Sequence, residues 1–230
     1  MTAPSVDVRI TEPADFPGII ALTRAVYPES PPWTIAQLDS HFRIFPEGQL
    51  VAVSRADGAL IGMSASLIVQ WDDYDFSTTW RDFTAHGTFE NHDPARGRTL
   101  YGAEVMVEHE SRGRGVGSAL YRARETLARR LGLLRIRAGA RLRGYGRVAG
   151  AMSAEDYVVR VVRGELVDPT LTFQLRRGFR VIAVVPGYLR HDPESLGYAA
   201  VIEWLNPEVA TPAEHAAGEP RYRSPDTPRA

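Results

Sequence analysis

The chain has 230 residues, of which 27 are basic and 28 acidic, for a formal net charge of -1 at neutral pH. That balance argues against a general nucleic-acid binder, which rests on a basic surface that neutralises several phosphates. Cysteine is absent, so disulfides, thiolate nucleophiles and Cys-ligated metals are excluded, and every basic residue is arginine, a bias of composition rather than a device of the chain.

The opening MTAPSVDVRI lacks the basic start and apolar run of a secretory signal, and no stretch reaches the roughly 18 consecutive apolar residues of a spanning helix, so the expected compartment is the cytoplasm. In chain order, Val6 to Ile10 alternates as a strand, and Pro13 opens a helical pattern carried by Phe16, Ile19, Ile20, Leu22 and Val26. Thr34 is a helix cap before Ile35, Leu38, Phe42 and Ile44, and Pro46 ends that run. Gln49 to Ser54 and Ala59 to Val69 read as a hairpin turning at Asp57-Gly58. Residues 70 to 98 are polar and aromatic without periodicity and read as an insertion crossing the surface.

Thr99 to Val107 is the next strand, followed by an amphipathic helix over Gly115 to Leu131 with Leu120, Leu127 and Leu131 on its apolar side. Leu133 to Arg137 returns as a strand, Ser153 caps a helix through Tyr157 to Val162, and Pro169 can start another. Phe179 to Val185 and Tyr198 to Trp204 close the domain as strands. One domain over residues 1 to 205 is expected, with residues 206 to 230, rich in Pro, Ala, Glu and Arg, as a disordered tail.

The strand ending at Val107 runs almost directly into Arg112-Gly113-Arg114-Gly115-Val116-Gly117 and then into the long helix. A helix start leaves about four backbone N–H groups without partners and carries roughly half a positive charge, and glycines let that backbone come close to a phosphate. The dinucleotide fingerprint G-x-G-x-x-G fails because Ser118 stands where its third glycine belongs, and no G-x-x-x-x-G-K-[ST] loop occurs here.

With Arg112, Gly115 and Gly117 filling an R-x-x-G-x-G pattern, the sequence resembles the GCN5-related N-acetyltransferase (GNAT) family over about residues 6 to 205. The segments FPEGQ at 45 to 49, LYGAEVMV at 100 to 107 and DPTLTFQLRRGF at 168 to 179 resemble acetyltransferase domains sometimes fused to a carbon–nitrogen hydrolase, for which these residues leave no room. The resemblance implies a mixed α/β fold of α+β type, a central mixed sheet of about seven strands flanked by helices. It implies that the amides of Gly113, Arg114, Gly115, Val116, Gly117 and Ser118, beside Arg112, hold the pyrophosphate of acetyl-CoA, while the backbone of Met106 and Val107 pairs with the pantetheine arm. No metal is implied, and the acceptor is an amine of a small molecule or peptide. Nucleic acid and membrane are not expected partners, and a homodimer is one option for the oligomeric state.

Direct transfer needs a neutral amine, an oxyanion stabiliser and a proton source for the leaving thiolate. Glu104, three residues before Val107, is the first candidate for the base, because a partly desolvated carboxylate gains basicity. It reads equally as a structural carboxylate bonded across the sheet or to an arginine. Glu90, His86, His92 and Asp73 are alternatives in the insertion. Where the family often carries a tyrosine that protonates the thiolate, this chain has Gln174, which cannot act as a proton acid. Tyr145, Tyr157 and Tyr188 are phenols available from elsewhere.

The string Trp71 to Phe76 offers carboxylates and ring faces to a cationic amine, and Arg141, Arg143 and Arg147 in a second glycine-rich stretch can meet the nucleotide's 3′-phosphate or serve only solubility. The departure at Gln174 leaves a second reading, an acyl-CoA-binding sensor or scaffold without chemistry. A nucleotide-binding protein of another fold would instead take NAD or ATP.

Overall fold

The computed structural model describes residues 6 to 190 and 192 to 223. Its strands are β1 (Val6–Ile10), β2 (Gln49–Ser54), β3 (Leu60–Val69), β4 (Thr99–Val107), β5 (Arg135–Arg141), β6 (Arg180–Val185) and β7 (Ala199–Leu205). They form one seven-stranded sheet in the order β1-β2-β3-β4-β5-β7-β6. Every neighbouring pair is antiparallel except β4 and β5. This is the mixed, helix-flanked architecture expected from the resemblance.

The β4–β5 pairing decides where a site can lie. It holds only at Thr99↔Arg135, Leu100↔Ile136 and Tyr101↔Arg137. Both strands continue beyond, β4 to Val107 and β5 to Arg141, so the sheet divides and leaves one edge of β4 unpaired.

Helices α1 (Phe16–Val26) and α2 (Ile35–Ile44) cover one face, burying Phe16, Ile19, Leu22 and Leu38 in a core with Tyr101, Ala103 and Met106. Thr34 starts α2 as the sequence requires, its hydroxyl accepting from the Gln37 amide while Gln37 returns a bond to the Thr34 N–H. The short helix α3 (Trp80–Phe83) lies in the 70 to 98 segment. That segment does more than cross the surface: Phe83, Thr84 and Phe89 are buried, because its aromatics lie against Tyr101 and His41.

The opposite face carries α4 (Val116–Arg130), α5 (Ala154–Val162) and α6 (Leu171–Leu175). On α4 the buried side is Val116, Leu120, Tyr121, Arg124, Leu127 and Ala128, whereas Leu131 caps the helix and is exposed. Strand β5 starts two residues later than its apolar run suggests and extends to Arg141, Leu133 and Leu134 being buried in the connection before it. Helix α6 starts at Leu171, because the Asp168 carboxylate receives the N–H groups of Thr170 and Leu171.

Residues 206 to 223 depart from the expected disorder. Asn206 donates to the Leu133 carbonyl, a helix α7 (Pro212–Ala216) follows, and Arg180 reaches the carbonyls of Glu214 and His215. Tyr222 then enters the core beside α5. One aromatic anchor and a few backbone bonds outweigh a composition that points to solvent. The last seven residues lie outside the described part, as do the first five.

Candidate functional site

Between β4 and α4 the backbone forms a cup of donors. Gly113 and Gly115 have φ of +74° and +87°, a left-handed conformation that favours glycine, and Gly115 is the N-cap of α4 without any side-chain cap. No amide from Gly113 to Ser118 has an acceptor among the described residues. Arg112 and Arg114 are exposed beside this turn, and Arg112 Nε donates to the Val107 carbonyl at 3.3 Å. Successive free amides, the positive end of a 15-residue helix and two arginines without an ion pair among the described residues can receive an anion.

Strand β4 points its free edge at the sheet division. Its register with β3 pairs Ala65 with Glu104 and Ser66 with Gly102, so Ala103 is an extra residue, a β-bulge. Arg124 braces that bulge from the α4 side, donating to the Ser66 hydroxyl at 2.9 Å and to the carbonyls of Ala65 at 3.0 Å and Glu104 at 2.7 Å. Trp80 Nε1 donates to the Ala103 carbonyl at 2.8 Å. Gly102 lacks a side chain where one would collide: a Cβ there would lie 2.8 Å from the Arg124 guanidinium.

Beyond the bulge, the Glu108 N–H bonds the Ile61 carbonyl, so by strand alternation the backbone of Met106 belongs to the β3 ladder. The groups of Val105 and Val107 face the division instead. Of the two residues expected to pair with the pantetheine arm, Val107 turns its backbone groups to the unpaired edge and Met106 turns its own to β3.

The Glu104 carboxyl lies on the α1 side of the sheet. Its Oε1 accepts from the Tyr27 hydroxyl at 3.1 Å and from the Val105 N–H at 3.0 Å. Desolvation pushes its pKa up to about 7, against the opposing pull of those two hydrogen bonds, Arg124 and Arg141. A carboxyl with a pKa there can take up or release a proton near neutral pH.

The other candidates are committed elsewhere or face solvent. His86 and Glu90 are exposed, Asp73 pairs with Arg96, and His92 accepts the Ile68 N–H while stacking on Phe45. Trp71 and Tyr74 turn their rings inward onto Phe83, with Trp71 also under the Arg137 guanidinium. Arg141 is held by Asp192 and Glu194, and Arg143 by Glu194, so of the second arginine group only Arg147 stays exposed and without an ion pair among the described residues. Among the phenols, Tyr188 bonds Tyr101, Tyr157 bonds Asp168, and Tyr145 reaches the Met152 carbonyl. Gln174 is buried, and its Nε2 donates to the Tyr121 hydroxyl at 2.8 Å.

Sequence reasoning missed Tyr27, Tyr121 and Arg124. Arg124 carried a readable signal, since it stands four residues after Leu120 and three before Leu127, a charge inside an apolar stripe. Tyr27 ends α1 and meets Glu104 only through the fold.

The sequence model of the Acetyltransferase (GNAT) family matches residues 16 to 144. "Uncharacterized N-acetyltransferase YkwB" of Bacillus subtilis (strain 168) is 35% identical over 206 residues, covering 88% of this chain and 89% of that protein. "Probable hydrolase YhcX" of the same organism is 41% identical over 199 residues, 86% of this chain, which spans only 38% of that longer relative. Among solved structures, the GphF GNAT-like decarboxylase in complex with isobutyryl-CoA shares the fold, with a TM-score of 0.72, 22% identity and coverage of 87% of this chain and 99% of that one. On the matched residues and the shared architecture together, the chain belongs to the GNAT acetyltransferase family, whose chemistry is acyl-CoA-dependent acyl transfer.

Proposed function

We propose that this chain is an N-acyltransferase that moves an acyl group, acetyl in the simplest case, from coenzyme A to the amine of a small molecule or peptide. The observation that carries the reading is the uninterrupted row of acceptor-free amides from Gly113 to Ser118, set beside the open edge of β4. Those amides take the pyrophosphate, with Arg112 and Arg114 adding charge, and the backbone of Val107 pairs with the pantetheine amides. Val105 N–H then faces the thioester carbonyl.

Glu104 divides its time between two tasks. With its carboxylate on the Val105 N–H the site is at rest. When the carboxylate turns to an incoming amine and removes its proton, the Val105 amide is released to stabilise the oxyanion. Tyr27 keeps the carboxyl on the acceptor side throughout.

Incubation with acetyl-CoA and a panel of small and peptide amines, with free thiol as the readout, tests the proposal. Amine-dependent thiol release supports it, and coenzyme A binding without turnover across the panel supports the sensor or scaffold reading instead. The double substitution Arg112→Glu with Gly117→Asp should weaken coenzyme A binding roughly 10- to 100-fold, the size of a lost charge-assisted hydrogen bond or two, with little change in melting temperature. Unchanged affinity in calorimetry would move the phosphate site away from this turn.

A further inference from the structure

The thiolate expelled by acyl transfer needs a proton, and at Gln174 the chain has an amide that cannot supply one. The fold puts a phenol against that amide. Gln174 Nε2 donates to the Tyr121 oxygen at 2.8 Å, and both residues are buried. Because the hydroxyl receives this bond, its own hydrogen is left to point elsewhere, and no acceptor for it lies among the described residues. Gln174 Oε1 is also buried and without a partner among the described residues, so the pair has unused polar capacity.

The position of this phenol follows from how α4 runs back beneath β4. At one end, a Cβ on Gly117 would lie 3.8 Å from the Val107 side chain. At the other, the Arg124 guanidinium reaches the Glu104 carbonyl at 2.7 Å. Tyr121 lies between them, about 6 Å along the helix from Gly117. Val105 lies a similar distance, about 6.6 Å, back along β4 from Val107. Val105 packs against the core cluster that contains Tyr121, and these spacings put Tyr121 under the stretch of β4 around Val105, whose amide faces the division of the sheet.

We propose that the Tyr121 hydroxyl, held in place by Gln174, is the proton donor to the coenzyme A thiolate, taking over from the phenol that the family often carries at the Gln174 position. The inference rests on the acyltransferase reading above. As the tetrahedral intermediate collapses, the C–S bond breaks with its electron pair on sulfur, the Tyr121 O–H bond breaks and an S–H bond forms. The phenolate regains a proton from solvent after the thiol leaves. Meanwhile the Gln174 N–H and the Arg124 cation, 5.6 Å from the Tyr121 ring centre, stabilise it. Base and acid thus sit on opposite faces of the divided sheet, Glu104 toward α1 and Tyr121 on α4.

The test compares Tyr121→Phe with wild type in thiol release from acetyl-CoA, using the amine found in the panel. Expected are a fall in kcat of about 100-fold, coenzyme A affinity within about threefold of wild type, and recovery of most of the lost rate when Gln174→Tyr is added. Tyr121→Phe with Gln174→Leu removes both polar partners together and guards against misfolding, since deleting a bonded pair in one step is nearly neutral. It should lose rate as Tyr121→Phe does and keep the wild-type melting temperature. Turnover by Tyr121→Phe within about threefold of wild type, or a loss that merely follows lost coenzyme A binding, overturns the assignment and leaves the acyltransferase reading intact.

A readout without any amine is the titration of bound coenzyme A by thiolate absorbance. A donor at Tyr121 stabilises the bound thiolate, so Tyr121→Phe should raise the pKa of that thiol, and an unmoved titration also overturns the assignment. Failure of wild type to bind acetyl-CoA at all would instead defeat the site reading itself, and the donor with it.

Discussion

Glu104→Gln is expected to lower kcat for acyl transfer by roughly 10²- to 10⁴-fold, the range of a lost general base, while acetyl-CoA affinity stays close to wild type. In wild type the rate should climb as pH rises through about 7, where the buried carboxyl ionises, and Glu104→Gln should lose that limb. The sign for stability runs the other way. The folded carboxyl titrates near 7 against an ordinary value of 4.5, so the native state holds an extra proton between those values and is destabilised as pH rises through them. Glu104→Gln removes that cost, and its melting temperature relative to wild type should be higher at pH 9 than at pH 5. A pH–rate profile that keeps its limb near 7 in Glu104→Gln would place the base elsewhere.

Glu203→Ala should be the more damaging change to the fold. The Glu203 carboxylate on β7 is buried and receives Arg137 at 2.6 Å, Arg180 at 2.6 Å and Arg135 at 3.4 Å. These arginines come from β5 and β6, so one anion ties three strands together where β5 parts from β4. Removing it leaves partly buried cations facing one another, a loss of about 3–5 kcal/mol. At about 2–4 °C per kcal/mol for a chain of this size, the melting temperature should fall by roughly 10 °C. Burial raises the carboxyl pKa, but Arg137 and Arg180 more than offset it and hold it below the ordinary value. Its contribution is therefore present above that value and is lost as acid takes the pH through the lower folded pKa. A loss under about 1 kcal/mol in chemical denaturation would mean that the arginines find water instead.

Most of the architecture was legible because local chemistry and the final fold agree. Thr34 caps where its side chain can, Asp57-Gly58 turns a hairpin, and alternate glycines after an apolar strand mark the turn before α4. What stayed hidden depends on contacts distant in sequence. The extent of pairing between β4 and β5 follows from packing above and below the sheet, which no periodicity encodes.

Within the site, the free amides and the raised Glu104 pKa were foreseeable from the helix start and from a carboxylate on a core strand. The Ala103 bulge was not, and by shifting the pleat it puts Val105 rather than Met106 on the open edge. Tyr27 and Tyr121 looked like ordinary aromatics at apolar positions, and only the fold brings one to Glu104 and the other to Gln174. The polar 70 to 98 segment misled for the opposite reason, since its scattered aromatics find a core that the sequence places elsewhere.

The central claim is that the turn before α4 holds coenzyme A and presents its thioester to the open edge of β4. A crystal structure grown with acetyl-CoA tests this most directly. The account predicts pyrophosphate oxygens within hydrogen-bond reach of the amides between Gly113 and Ser118, and the thioester carbonyl on the Val105 N–H. Coenzyme density on another surface, with those amides left to water, would contradict it.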